Sequence, residues 1–225
     1  MKDEYEDLCR FFGVEPFVVG PGMSARINPL DFGPLVQGWD TLAPQEARGR
    51  AGLIFGRWLT LVRALVGSQR IGENRVPFGP SEEAVVKTAL EDLTGYGNAN
   101  SRLRETTIPA LWHLLSNPTD DLVDKVRYAS TRHFLDETRL LRDALGQLVT
   151  GALAGLFDDH THITFDWNAP ITSLSLSRLA PLGAEAVDLA LVTLNSWGRG
   201  MRDIAAPGDL RVVMPDGVVQ SVARG

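Results

Sequence analysis

The chain has 225 residues, of which 44% are hydrophobic and 22% are charged, a composition that excludes wholesale disorder. Its formal net charge of −6 argues against a free-standing nucleic-acid-binding protein, which normally displays a basic surface. The single cysteine, Cys9, cannot form an intrachain disulfide, and we expect it to be a buried structural thiol. Because neither a signal peptide nor a sufficiently long apolar run is recognisable, we expect a cytoplasmic protein without a transmembrane segment.

The N-terminal residues predict a short helix followed by a strand. Apolar residues recur at helical spacing over residues 5–12, and Gly13 occupies the position of a helix C-cap. Residues 16–20 are predicted to form a short buried strand. In the next segment, residues 26–31, Pro29 restricts the preceding residue to extended geometry and therefore favours a turn out of the sheet.

Residues 44–157 have the pattern of a helical region. In the first predicted helix, Ile54, Trp58 and Leu65 recur at helical spacing and mark the face that should enter the core. Residues 70–80 are predicted to be a loop, and the cluster 95–98 should end the second helix. The predicted helices cover 45–69, 81–93 with Ser81 as N-cap, 111–115, a segment with Thr119 as N-cap, and one continuous helix over 131–157.

The C-terminal third changes its hydrophobic period from strand to helix and back. Strands are predicted over 163–167, 171–176 and 210–214, with a helix over 185–197 between the last two. In such a unit the strands should be parallel and buried on both faces, with the helix packed on the sheet. Because these sheets bind ligands beyond the carboxyl ends of their strands, we expect chemistry after Leu176 and after Met214.

Two histidines before a predicted strand suggest a metal site. His160 and His162 can place two imidazoles on one side of the backbone. However, two ligands do not make a site, and no other histidine or cysteine has matching spacing. A polar turn between a helix and a strand explains the same residues. No Gly-x-Ser-x-Gly elbow occurs and no histidine is near Cys9, so the signatures of hydrolases are missing.

Arginines cluster in two of the predicted helices, over residues 48–63 and 127–142. Phosphate binding is one interpretation of these clusters. In the second cluster the interleaved Asp136, Glu137 and Asp143 favour an ion-paired helix face instead. The five tryptophans are dispersed along the chain, so we expect core or interface anchors and not a stacking platform.

The last predicted strand leads into Asp216, as the strand of a nucleotide hydrolase delivers an aspartate to the magnesium shell. Other short motifs agree with this one in order and spacing. They are Lys-Asp-Glu-Tyr at 2–5, Arg-Ile-Asn-Pro-Leu-Asp at 26–31, Ile-Thr-Phe-Asp at 163–166 and Arg-Val-Val-Met-Pro-Asp at 211–216. On these residues the chain resembles the VirB/TraC-type ATP-binding motor proteins of conjugal transfer and type IV secretion, especially the actinobacterial kind.

The resemblance implies an α/β fold, namely a partial parallel-sheet P-loop ATPase core of the RecA-like type with a large all-helical insertion. Residues 1–35 and 158–225 would belong to the core, and residues 36–157 would be the insertion. ATP and Mg²⁺ would be the cofactors, with Glu4 and Asp216 as nucleotide-binding residues and Asp216 in the magnesium shell. The implied partners are transfer-apparatus proteins or full-length motor subunits at the inner face of the membrane, with homo-oligomerisation as a further expectation.

The sequence departs from that family at its catalytic positions. It contains no Gly-x-x-x-x-Gly-Lys-[Ser/Thr] motif, Ser175 replaces the usual aspartate, and Gly217 stands where a glutamate would orient the attacking water. We therefore expect a truncated part of a motor ATPase that does not hydrolyse ATP alone. An alternative is a small helical interaction module that binds a partner protein and not nucleotide. A third interpretation is a metal enzyme that uses His160 and His162.

Overall fold

The computed structural model describes residues 3–18, 20, 26–32, 35, 38–98, 102–151, 153–162, 173–176, 178–204, 211–213 and 219–221. Helices make up most of this part of the chain. They are α1 (Asp3–Phe11), α2 (Pro44–Ser68), α3 (Pro80–Thr94), α4 (Ile108–Ser116), α5 (Asp120–Lys125), α6 (Thr131–Glu137), α7 (Arg139–Thr150) and α8 (Ala184–Ile204).

The core is built around α2, the longest helix of the described residues. The predicted apolar stripe is confirmed, since Ile54, Trp58 and Leu65 are each at most 2% exposed. Helix α2 packs against α8, α3 and α7. A second pair of helices, α4 and α7, closes the core next to it. The periodicity of 3.6 residues therefore placed the core face of this region correctly.

The predicted α/β fold class is wrong. The described residues are mostly helical, and they contain no parallel sheet of the P-loop type. Their strands form three separate pairs, of which β1 with β4 is parallel and the other two are antiparallel. The strands are β1 (Phe17–Val18), β2 (Arg70–Ile71), β3 (Asn74–Arg75), β4 (Leu174–Ser175), β5 (Arg211–Val213) and β6 (Val219–Ser221).

The strand–helix–strand unit predicted for the C-terminal third is also corrected. β4 pairs with β1, whereas β5 pairs with β6, so the two strands that flank α8 are not neighbours in one sheet. Each strand has only two or three residues, too few to bury both faces of a sheet. Short apolar runs fit strands and buried irregular segments equally well, which is why the pattern misled. The strand predicted at 163–167 lies outside the described residues.

Local sequence signals located several helix ends correctly. Gly95 adopts a left-handed conformation with φ of 74° directly after α3, as the predicted stop at 95–98 requires. The hydroxyl of Thr119 accepts a hydrogen bond from the backbone N–H of Leu122, which confirms the predicted N-cap of α5. In contrast, Ser81 is not the N-cap of α3, because the helix begins at Pro80 and its N-cap is Gly79. The Glu82 carboxylate, in the first turn of α3, accepts a hydrogen bond from the backbone N–H of Gly79 at 2.8 Å and so caps the start of the helix.

The long helix predicted over 131–157 is two helices, and the second ends at Thr150. Its stripe is buried as expected, from Phe134 to Leu148, but α6 ends at Glu137 and α7 begins two residues later. At the break, the guanidinium of Arg142 donates to the carbonyl oxygen of Leu135 at 2.6 Å, an oxygen that a continuous helix would offer to a backbone N–H. The predicted loop at 70–80 likewise contains the β2–β3 hairpin.

One helix among the described residues, α2, is long and apolar enough to cross a membrane by length and composition. Most of its apolar side chains are buried inside the protein. The core helix of a folded domain passes the same test, so this arrangement agrees with the expectation that the chain has no transmembrane segment.

Candidate functional site

A polar interlock joins three separate segments of the chain, residues 26–31, 102–107 and 156–162. Its centre is Asn28, which is fully buried. The side-chain amide of Asn28 donates to the carbonyl oxygen of Thr106 at 2.8 Å, and its side-chain oxygen accepts from the N–H of Leu30 at 2.9 Å. The backbone N–H of Asn28 donates to the hydroxyl of Thr161 at 3.0 Å. Each polar group named here has a partner, as a buried amide requires.

Charged side chains surround the interlock. Arg26 contacts Asp158 at 3.1 Å and Asp159 at 3.5 Å, and His160 Nδ1 lies 2.9 Å from a carboxylate oxygen of Glu105. The hydrogen bond with Glu105 raises the pKa of His160 above its ordinary value, because it favours the protonated ring. The backbone N–H of His160 donates to Asp159 and lowers the pKa of that carboxyl.

The metal interpretation of the two histidines gains no support from their surroundings. His160 faces Glu105, whereas His162 Nε2 lies 3.7 Å from Asp159. The part of the chain that the structure describes contains no group of three or more histidine, cysteine, aspartate or glutamate side chains that could hold a metal ion. The two imidazoles are therefore part of the interlock's hydrogen-bond and charge network, as in the polar-turn interpretation of this segment.

The nucleotide-binding residues predicted from the resemblance are not brought together in the described structure. Asp216 and Gly217 lie outside the described residues. Glu4 lies within α1, but its side chain is also outside the described part. Both assignments stay predictions. The predicted buried state of Cys9 is confirmed, since this residue is 1% exposed.

Several of the clustered arginines hold helices in place. In the first cluster, Arg50 donates to the carbonyl oxygen of Leu35, and Arg57 donates to the carbonyl oxygen of Ser196 on α8. In the second cluster, Arg132 lies 4.0 Å from Asp136 one turn further along α6. This pair, although exposed, agrees with the ion-paired face that the sequence favoured.

A polar hollow of about 440 Å³ lies where the end of α3 meets α5. Lys125 occupies its wall and lies 2.7 Å from Asp92 and 2.6 Å from Asp121. The hydrogen bonds that Lys125 donates to the carboxylates of Asp121 and Asp92 raise the pKa of Lys125. Because Lys125 is already paired with the two carboxylates, the hollow is a weaker candidate for a ligand site than the apolar groove between α2 and α8.

The α2–α8 groove is an open, mostly apolar depression of about 490 Å³ between these two helices. Helix α2 provides one wall of small and apolar residues, and α8 provides the other. The exposed side of the groove includes Leu53, of which 45% is accessible to solvent. The lining residues are Gly52, Leu53, Gly56, Arg57, Thr60, Leu61, Ala64, Val192, Asn195 and Ser196.

Small residues make the groove deep. Gly52, Gly56, Thr60 and Ala64 follow one another at steps of four, so they lie along one stripe of α2. A Cβ atom placed on Gly56 would meet no heavy atom within 4 Å, which shows that the space above it is open. Glycine within a helix costs about 1 kcal/mol relative to alanine. Stability of α2 alone therefore does not explain this glycine.

The charge around the groove is positive on the α2 side. Helix α2 carries four arginines and a single acidic residue, Glu46. Arg57 lies within the lining itself, and Arg63 is 61% exposed on the same helix. On α8, the lining residues Val192, Asn195 and Ser196 are uncharged. An apolar floor beside a basic helix is a surface that favours apolar ligands with negative charge at their edges.

The sequence contains a signal for this groove that is separate from the apolar stripe of α2. The small residues of α2 recur at helical spacing opposite the core stripe, and such a pattern marks a face that another backbone can approach closely. The other wall, around Asn195, comes from residues about 130 positions away. No local pattern indicates that pairing.

Comparison with known proteins assigns no family to this chain. No family model, curated protein or solved structure matches it. The resemblance to transfer ATPases therefore rests on the short motifs quoted above, and the function must be argued from the geometry of the site.

Proposed function

We propose that this chain is a helical interaction module, in which the α2–α8 groove binds an amphipathic helix with an acidic polar face from a partner protein. The observation that carries the proposal is the groove itself, an apolar depression with exposed Leu53 at its edge and open space above Gly56. Exposed contiguous apolar surface on a folded protein marks interaction sites.

The shape of the groove favours a helix as its ligand. Helix α2 forms one wall of the depression and α8 forms the other, and an apolar depression between two helices is the arrangement in which helix-in-groove recognition occurs. The stripe from Gly52 to Ala64 rises by about 18 Å at 1.5 Å per residue, a length that accommodates about three turns of a bound helix. Without a side chain at Gly56, where the space is open, a bound helix can approach α2 more closely than at an ordinary surface.

The charge near the groove favours acidic residues on that helix. Arg48 is exposed on α2 before the glycines, and Arg63, after them, is 61% exposed and lies 3.5 Å from the Glu83 carboxylate of α3. Exposed charges of this kind add little affinity singly, but they orient an approaching partner and exclude partners of the same sign. The apolar floor supplies most of the binding free energy, because it is desolvated when the ligand enters.

The competing interpretation, a fragment of a motor ATPase, receives no comparable support from the described residues. Its fold class is contradicted, and its proposed nucleotide residues Glu4 and Asp216 have no described side-chain geometry. Transfer-apparatus proteins stay a prediction from the resemblance alone. The proposed module needs neither ATP nor Mg²⁺ for its activity.

The experiment fills the groove and measures peptide binding. The probe is a fluorescein-labelled synthetic helix of about 18 residues, with leucine at helical spacing on one face and glutamate on the other. In Gly56→Trp the indole would occupy the groove, and helix propensity improves at this exposed position, so folding should survive. We expect fluorescence anisotropy to show an affinity loss of at least about tenfold, equivalent to about 1.4 kcal/mol.

The matched control is Ala84→Trp, which adds an indole at an exposed position of α3, away from the groove. It should bind the peptide as the unaltered chain does. A scrambled peptide of the same composition and a version with lysine in place of glutamate should both bind more weakly. If the acidic helix does not bind, or if Gly56→Trp and Ala84→Trp bind it equally well, the groove is not the site.

A further inference from the structure

The walls of the α2–α8 groove carry a few polar side chains among the apolar ones. The hydroxyl of Thr60 donates to the carbonyl oxygen of Gly56 at 2.9 Å, and the guanidinium of Arg57 donates to the carbonyl oxygen of Ser196. These two side chains therefore have hydrogen-bond partners within the chain. Asn195, on the α8 wall, differs from them, because its side-chain amide makes no hydrogen bond within the part of the chain that the structure describes.

The position of Asn195 in α8 is unfavourable for an asparagine. It lies near the middle of a 21-residue helix, where asparagine is a poorer helix former than leucine or alanine. A polar side chain inside a helix often bonds to the carbonyl oxygen four residues earlier, as the hydroxyl of Thr193 does with Leu189 at 3.1 Å. Asn195 is instead exposed and lines the groove. The stability of α8 therefore does not explain this side chain.

The surroundings of Asn195 are mostly apolar. Val192 lies three residues earlier on the same wall, and Leu53 and Leu61 belong to the wall that α2 provides. A helix that fills the groove removes water from the Asn195 amide along with these apolar atoms. An amide that loses water without gaining a hydrogen-bond partner reduces affinity. Asn195 therefore distinguishes between ligands that fit the apolar floor equally well.

We infer that Asn195 sets the register of the bound helix by pairing with a side-chain amide, of glutamine or asparagine, on the apolar face of that helix. This inference rests on the proposed function of the groove and adds a specific feature to its ligand. In coiled coils, a single asparagine within an otherwise apolar contact between helices specifies register and partner at some cost in stability. The mostly apolar walls and the unpaired amide of Asn195 reproduce that situation in the groove.

An amide complements Asn195 better than other side chains do. The asparagine side chain has a carbonyl oxygen that accepts hydrogen bonds and an NH₂ group that donates them, and a glutamine or asparagine offers the same two groups in return. A leucine would leave both groups unpaired, and a glutamate carboxylate accepts but does not donate. The ligand is accordingly an amphipathic helix with acidic residues on its polar face and one amide among its apolar residues.

The test compares two forms of the chain with two kinds of peptide. The reference peptide is the fluorescein-labelled helix with leucine on one face and glutamate on the other. In the second kind, each leucine in turn is replaced by glutamine, so that every register is sampled. Asn195→Leu replaces the amide with an apolar side chain of similar size and higher helix propensity, so folding should survive. Fluorescence anisotropy measures the dissociation constants, and thermal denaturation checks that the melting temperature does not fall.

The two forms of the chain should prefer different peptides. We expect one glutamine peptide to bind the unaltered chain at least as tightly as the leucine peptide does. The other glutamine peptides should bind at least about tenfold more weakly, because they bury unpaired amides. Asn195→Leu should reverse the order, with the leucine peptide favoured over that glutamine peptide by about tenfold or more. A merely structural role of Asn195 would weaken all peptides by the same factor and give no coupling in the double-mutant cycle.

Asn117→Leu is the matched control. It replaces an exposed asparagine at the end of α4, which does not line the groove. This variant should rank the peptides in the same order as the unaltered chain does. A reversed order in Asn117→Leu as well would show that the effect does not come from the groove, and would overturn the inference.

Failure of the inference is distinguishable from failure of the proposed function. If the leucine peptide binds and Gly56→Trp blocks it, but no glutamine position shows coupling with Asn195→Leu, the groove accepts a helix and Asn195 does not set its register. A glutamine preference that Asn195→Leu leaves unchanged overturns the inference in the same way. If none of the peptides binds, both proposals are wrong.

Discussion

The interlock and the α2–α8 groove differ in what their atoms face. In the interlock, a buried amide, an arginine and two histidines all face partners within the chain, such as Thr106 for Asn28 and Glu105 for His160. In the groove, apolar atoms of Leu53 and the space above Gly56 face solvent. In the polar cluster the central amide and the charged side chains have partners within the chain, whereas the small residues of α2 line an apolar depression that is open to solvent. The first feature holds the fold, and the second is where we place function.

The largest expected effect on stability comes from breaking the interlock. Asn28→Ala leaves the Leu30 N–H and the Thr106 carbonyl oxygen without their side-chain partner in a buried place. Such a loss should lower the free energy of unfolding by about 3 kcal/mol, measured by urea denaturation. Asn117→Ala, an exposed amide at the end of α4, is the comparison and should cost less than about 1 kcal/mol. Equal costs at the two positions would show that the interlock does not stabilise the fold.

The second effect concerns the partly buried ion pairs of the interlock. Arg26→Ala removes the contacts with Asp158 and Asp159, whose side chains are 20% and 41% exposed. We expect a loss of about 1 kcal/mol of unfolding free energy, the upper end for pairs open to solvent. Arg132→Ala removes a pair in which the arginine is 93% exposed and should cost almost nothing. A double-mutant cycle with Asp158→Asn would show whether the loss belongs to the pair.

The third prediction has the opposite sign and belongs to the groove. Gly56→Ala should stabilise the chain by about 0.8 kcal/mol, because alanine is the better helix former and its Cβ meets nothing there. The comparison is Gly146→Ala on α7, where the new Cβ would lie 3.2 Å from the indole nitrogen of Trp112 and lose part of that gain. Thermal denaturation measures both. Destabilisation by Gly56→Ala would mean that the groove is part of the packed core.

The smallest effect is the pH dependence of the interlock. The pKa of His160 is raised in the folded chain, so its contribution to stability is complete below the ordinary value of about 6.5 and disappears as the pH rises through the folded value. Because the pair with Glu105 is exposed, we expect only a few tenths of a kcal/mol. His160→Gln should remove this slope between pH 6 and 8. An unchanged slope would assign the pH dependence to another group.

The sequence predicts the parts of this fold that depend on local physics. The core stripe of α2 through Trp58 follows from helical periodicity, and the ends at Gly95 and Thr119 follow from the chemistry of caps. The break between α6 and α7 does not follow from these signals, and at the break the Arg142 side chain donates to the carbonyl oxygen of Leu135. A polar side chain seven residues away leaves the hydrophobic period unchanged.

The predictions that were wrong at the level of the fold concern contacts between residues that lie far apart in the sequence. Short apolar runs such as 171–176 were interpreted as strands of one parallel sheet, but pairing depends on partners that the run does not specify. The candidate site shows the same limit. Histidines 160 and 162 stand out by residue type, whereas the groove arises only when α8 lies beside Gly56 of α2.

Methyl nuclear magnetic resonance of the isotope-labelled chain, titrated with the acidic synthetic helix, tests directly whether the α2–α8 groove binds a partner helix. Leu53, Leu61 and Val192 line the groove, while Leu115 and Leu122 are buried elsewhere in the helical body. We expect the methyl signals of the first three to shift with increasing peptide and those of the last two to remain in place. Shifts confined to residues outside the groove, or no shifts up to millimolar peptide, would contradict the account.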